Sequence, residues 1–291
     1  MATKAEIQAQ GKDNAALVVN NAFIDGLCAQ LAEKESFGLT FPKDYNYKNE
    51  LMGAYLVLKE TTDANKKPVL QSCTQASIAN TLMDMVTMGL SIQKKQCYPV
   101  AYGGKLQCQV SVYGDTCIAR RYGLADIDAI VIYDGDDFKY HIEEAKIVID
   151  HHYQDFTNID TDKIIGAYAV AIMNDGSKRV ELMNMAMIKK AWAQGYGYKE
   201  NGNGTHQKFT DQMCIKTVKK RCLKNIIRTY GTYGIDAVID EMEEREKDDR
   251  IAEDVQYDIQ QNANTVDFEE VEEAEYREVE TDLPEFMKPE E

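Results

Sequence analysis

Residues 77–112, SIANTLMDMVTMGLSIQKKQCYPVAYGGKLQCQVSV, change period part-way along. Up to Gly89 the apolar residues, Ile78, Leu82 and Met85 with Leu90 just beyond, approximate one helical face, and Gly89 is a residue that can end the helix. From Cys97 the pattern alternates: CYPVAY, the pair Gly103-Gly104, then KLQCQVSV, a β-hairpin by its turn chemistry. Helix passing directly into antiparallel strand makes the core α+β.

The same reading extends both ways. Residues 1–14 are polar, and AALVVNNAFIDGLCAQLAEKE, 15–35, spaces its apolar residues for a helix. Gly38, Pro42 and the Tyr45/Tyr47 pair interrupt it before a second helix, 45–60, and a Lys-rich turn, TTDANKKP. Downstream, DTCIARRYG, 115–123, reads as a short helix. Two more hairpins are expected, IDAIVIY with DFKYHI about Asp134-Gly135, and IIGAYAVAIM with RVELMN about Asn174–Ser177. AMIKKAWAQ, 186–194, reads as helix and GYGYKENGNGTH, 195–206, as a mobile loop. The fold class is α+β, with antiparallel hairpins packed on helices, N-terminal helices and a disordered acidic C-terminal tail. Three regions are expected: 1–40, a helical oligomerisation segment; 41–235, the folded core; and 236–291, an acidic, largely disordered tail that starts as a helix.

The formal net charge is −16, but it is unevenly placed. Residues 236–291 hold 23 Asp and Glu against 5 Lys and Arg, leaving 28 basic and 26 acidic residues in 1–235. A partner meets a local surface rather than a sum, so the core is free to attract anions. The tail ends in TDLPEFMKPEE, where Leu283, Phe286 and Met287 in an acidic field read equally as a short docking segment and as an inert solubilising tail.

Seven cysteines without a CxxC pair read as reduced thiols, and Cys97, Cys108 and Cys117 with His151 or His152 lack zinc spacing, so no metal is expected. The N-terminus has no apolar signal region and no run is long enough to span a bilayer, which points to a cytoplasmic protein with no membrane partner.

The last core element is QMCIKTVKKRCLKNIIRTYG, 212–231. At 100° per residue Ile215, Val218, Cys222 and Ile226 share one face, while Lys216, Lys220, Lys224 and Arg228 follow an i, i+4 row on another, with Arg221 beside them. Stacked like charges repel, and no acid lies nearby in sequence, so a polyanion is the natural counterpart. Lys94, Lys95, Lys105, Arg120, Arg121, Lys189 and Lys190 extend the basic set, and Tyr98, Tyr113 and Trp192 are among the aromatics interleaved with it. Cations for phosphates and aromatic faces for bases are what sequence-tolerant single-strand binding requires.

From about Thr74 to Gly231 the chain resembles the RecT family of phage single-strand annealing proteins. The resemblance rests on the helix-to-hairpin passage above, on IARRYG (118–123), and on YDGDDFKY (133–140) with Gly135, Asp136 and Phe138 in place and His151 or His152 following. It rests most on Met213, Lys216, Thr217, Lys220, Arg221 and Lys224 in M-x-x-K-T-x-x-[KR]-R-x-x-K. Val112-Tyr113-Gly114 stands where the family often has Tyr-Arg-Gly. The resemblance implies annealing of complementary single strands in phage-type homologous recombination, in the cytoplasm and nucleoid of a bacterial host. It implies a homo-oligomeric ring or filament that holds single-stranded DNA and the annealed duplex, and a partner exonuclease. The acidic tail has two readings beside it: competition with DNA for the basic groove, or docking on a host protein such as the single-strand binding protein.

No GxxxxGK[ST] loop occurs, so ATP is not expected, no cofactor is required, and Mg2+ enters only as a modulator of DNA binding. Two other readings are a metal-dependent nuclease using Asp134, Asp136 and His151, with Asp137 and His152 beside them, and a DNA-free scaffold whose basic face binds an acidic partner.

Overall fold

In the computed structural model the residues described are 22–195, 198, 200, 202–231, 235–245 and 248. Helix α1 covers residues 22–36 and buries Ile24, Leu27 and Leu31, one side chain per turn. After a break about Pro42 come α2 (Tyr47–Glu60), a single turn α3 (Val69–Ser72) and α4 (Gln75–Thr87). Thr74 caps α4 by accepting from the Ser77 amide. Gly89, at φ +62°, ends it, with the Leu90 amide bonded back to the Met85 carbonyl.

The expected hairpin follows as β1 (Cys97–Tyr102) and β2 (Lys105–Val110), paired from Cys97↔Val110 to Tyr102↔Lys105 across two glycines of positive φ. It lies on α4, where Thr81 Oγ1 donates to the Leu106 carbonyl (2.9 Å) and Ser77 Oγ accepts from the Leu106 amide (3.0 Å). Helix α5 (Val112–Arg121) starts three residues earlier than its sequence suggests, because Ser111 leaves the strand to cap it, accepting from Gly114 N–H at 3.1 Å.

The principal sheet is antiparallel, in the order β3 (Leu124–Tyr133), β6 (Ile164–Met173), β7 (Lys178–Asn184). The β6–β7 hairpin turns at Asn174–Ser177 as expected. The hairpin expected between β3 and β4 does not form. β4 (Asp137–Glu143) pairs with β5 (Lys146–Tyr153) in a separate ribbon, and β3 pairs with β6 instead. The Asp134-Gly135 turn is real, with Gly135 at φ +97°. Just past the turn, the buried carboxylate of Asp136 turns back to the Tyr133 amide (2.8 Å), His152 Nε2 (3.1 Å) and Gln154 Nε2 (3.1 Å). The ribbon packs through Phe138, stacked on Tyr168 of β6 at 5.5 Å.

The chain continues through α6 (Met185–Trp192), α7 (Thr205–Lys208) and α8 (Thr210–Tyr230) to α9, residues 235–245. The stretch expected as loop to residue 206 thus turns helical at Thr205, while residues 196, 197, 199 and 201 lie outside those described. α8 lies against the sheet with α5 beside it. It buries Cys214, Val218, Cys222, Leu223, Ile226 and Ile227; Ile215, expected on that face, is only half-buried at its edge. The stripe is wider than expected because sheet and helix cover it from two directions. All described residues belong to one compact unit, 1–250; a second, 251–291, falls outside them, and with it most of the tail expected to be disordered. Among the described residues no helix is long and apolar enough to cross a membrane.

Candidate nucleic-acid interface

A groove of about 1040 Å³ runs along α8. It is lined by the predicted row, Lys216, Lys220, Lys224 and Arg228, with Arg221 and Trp192; by α4, β1, β2 and the start of α5, which bring in Tyr98, Lys105 and Tyr113; and by Ile239, Met242, Glu243 and Arg245 of α9. Tyr98 and Tyr113 are 44% and 72% exposed, so both rings are open to a stacking partner. Trp192 is spent differently: its ring is buried beside His206 and Tyr198, and its Nε1 donates to Thr217 Oγ1 at 2.8 Å.

The other sequence candidates lie off the groove lining. Arg121 donates to the carbonyls of Met88 (2.6 Å) and Gly89 (2.7 Å), closing the C-terminal end of α4, while Arg120 beside it is exposed. Lys189 faces Glu200 at 3.4 Å, and Lys190 is exposed on the same helix. Lys94 and Lys95 are exposed in the turn before β1, where the Lys95 carbonyl accepts from Ser111 Oγ at the groove rim.

The expectation that no acid relieves the basic row is corrected. Lys220 Nζ donates to the Val110 carbonyl (2.8 Å) and lies 3.7 Å from Asp115; Arg221 Nε meets Glu181 at 2.8 Å. Lys224 meets Glu243 and Arg228 meets Asp240, each at 2.6 Å. These acids come from α5, β7 and α9, so no local window of sequence places them beside α8. The signal nearest to hand was Asp115 itself, which reads in sequence as an ordinary first-turn acid of a helix.

Burial pushes the Asp115 carboxyl up to about 6, against the pull of Lys220 and Lys224. Burial, and then Lys220, lower the Lys216 ammonium. A carboxyl raised on folding costs stability where it is ionised, so that cost is relieved as pH falls through about 6 toward the unfolded value. Protonation also removes the counter-charge of Lys220. Affinity for an anionic strand should therefore rise as pH falls from about 7.5 to about 5, and Asp115→Asn should flatten that rise in a binding titration at fixed salt. A variant that keeps the full pH response would place its origin elsewhere.

The acids proposed for a nuclease do not converge. Asp136 is buried, and although burial works against it, the Tyr133 amide, His152 and Gln154 hold its carboxyl below the usual range. His151 pairs with Asp137 at 3.4 Å, whereas His152 bonds Asp136 and the Tyr168 hydroxyl. Asp134 is engaged through its backbone, its amide on the Lys163 carbonyl. Among the described residues no group of three His, Cys, Asp or Glu is placed to hold a metal ion.

Comparison with known proteins gives residues 49–255, more than two thirds of the chain, as a match to the RecT family. The chain belongs to the RecT family. No curated protein matches it. Membership places the chain among the DNA-binding, single-strand annealing proteins of recombination. It also gives the groove a context: the α4–β1–β2 wall, α5 and α8 all lie inside the matched span of this RecT-family chain.

Proposed function

We propose that the chain binds single-stranded DNA along the α8 groove and anneals it to a complementary strand without ATP, working as a homo-oligomeric ring or filament. The observation that carries the reading is the meeting of two chemistries in one groove, whose lining includes both the Lys216, Lys220, Lys224 and Arg228 row and the exposed Tyr98 and Tyr113. Cations on phosphates give affinity without sequence preference, and tyrosine faces hold bases without reading them. Base pairing supplies the driving force, so the protein need only neutralise phosphate repulsion and keep the strand extended. No cofactor is required on this reading, and Mg2+ acts only on DNA binding. Residues 1–40 serve oligomerisation, and the tail from 236 docks an exonuclease or a single-strand binding protein.

The test is quenching of a dye pair on complementary oligonucleotides, with and without protein and in the absence of ATP. Accelerated quenching is expected, with full-length strands recovered afterwards. No acceleration would favour the scaffold reading, and strands shortened in the presence of magnesium would favour the nuclease.

A further inference from the structure

Beyond the Lys220 contacts with Val110 and Asp115, the far half of the cation row on α8 is occupied by helix α9. Helix α9 lays Glu243 on Lys224 (2.6 Å) and on Arg228 (3.6 Å), and Asp240 on Arg228 (2.6 Å). The spacing explains the match: acids three apart on α9 share a face, as do cations four apart on α8. The carboxylates therefore stand where phosphate oxygens would on the groove reading. Two further contacts hold the helix down. Arg245 grips Asp84 of α4 with both terminal nitrogens, at 2.9 and 3.0 Å, and both residues line the groove. Ile235 is buried, and Val238, Ile239 and Met242 pack half-buried against the core.

We propose that α9 is an autoinhibitory strap: residues 235–245 compete with single-stranded DNA for Lys224 and Arg228, and the groove takes up a strand over its full length only when the Asp84–Arg245 clasp opens. This rests on the groove being the DNA site. The ion pairs are partly solvent-exposed, with the Lys224 and Asp240 side chains more than half exposed, so they suit a contact that a polyphosphate displaces rather than a permanent closure. Strands too short to reach Lys224 and Arg228 would bind at the Lys216 and Lys220 end with the strap in place.

The test uses the full chain and a fluorescent single-stranded oligonucleotide of mixed sequence. Asp240→Asn with Glu243→Gln should tighten binding about 3- to 30-fold at low salt. Removing acids near DNA tightens binding by charge alone, so a second variant separates the cases. Arg245→Ala deletes a positive charge from the groove, and simple electrostatics predicts weaker binding, whereas an opened clasp predicts tighter binding. Hydrogen exchange on the wild type adds a readout that needs no variant: the amides of 235–245 should lose protection when the oligonucleotide binds. Wild-type binding with an Arg245→Ala variant that binds more weakly and an α9 that stays protected would overturn the strap and leave the groove standing. Absence of oligonucleotide binding by wild type and variants alike would overturn both.

Discussion

Replacing Lys216, Lys220 and Lys224 together by alanine should weaken binding to unrelated single strands about equally, on the order of 100-fold at low salt. That figure follows from about 1 kcal/mol per solvent-exposed ion contact to phosphate, three times over. The more telling quantity is the salt dependence. Each phosphate neutralised on a single strand adds about 0.7 to the slope of log affinity against log salt, so the slope should fall by about 2. Lys216 and Lys224 are exposed and Lys220 half-buried, so the fold should tolerate the change. Removal of Lys220 does leave Asp115 unpaired, but that carboxyl is already raised to about 6 and can take up a proton. An unchanged slope in a fluorescence titration would remove these lysines from the DNA path. Loss confined to particular sequences would count against phosphate contact, because phosphates carry no sequence.

Gly114→Ala should cost stability on a comparable scale through an unrelated cause. A Cβ at Gly114 would collide with the Gln96 carbonyl oxygen and sit 2.8 Å from Val110 Cγ1. The carbonyl has little room to retreat, since it accepts from both the Ser111 amide and the Ser111 hydroxyl, each at 3.0 Å. Overpacking against fixed backbone costs about 3 kcal/mol, which for a domain of this size lowers the melting temperature by roughly 6–12 °C. Thermal unfolding by circular dichroism checks it, and an unchanged melting temperature would mean that β2 and α5 separate easily. Val112-Tyr113-Gly114 is therefore constrained at its glycine by packing, while the exposed ring of Tyr113 beside it is left for the groove.

Local chemistry was legible wherever neighbours in sequence are neighbours in space. Gly103-Gly104 and Asn174–Ser177 each announce a turn between strands that do pair, and the two-faced α8 can be read from the spacing of Val218, Cys222 and Ile226 against Lys216, Lys220 and Lys224. The β3–β4 pairing failed because alternation marks a strand without naming its partner. DFKYHIE has charge at almost every second position and cannot take the central place in the sheet, which goes to the nearly all-apolar IIGAYAVAIM. Charge was the other blind spot. Lys220 and Arg228 look unrelieved within any short window, yet Asp115 and Asp240 reach them from separate elements. Arg121, one of two adjacent arginines in IARRYG, serves the end of α4, a task visible only once α4 and α5 are in contact.

The distances along the chain that these contacts bridge set the order in which the protein becomes competent. Lys220 reaches a carbonyl 110 residues earlier, and Arg245 a carboxylate 161 residues earlier. The groove joins α4, the first hairpin and α5 to α8 from much later in the chain, so a chain still being synthesised, or one cut before α8, has hairpins and helices but no cationic channel. Loop closure over such spans is slow relative to local helix and hairpin formation. On the proposed reading, a strand-binding groove needs α8, which is made late, and α9 follows directly behind it in the chain.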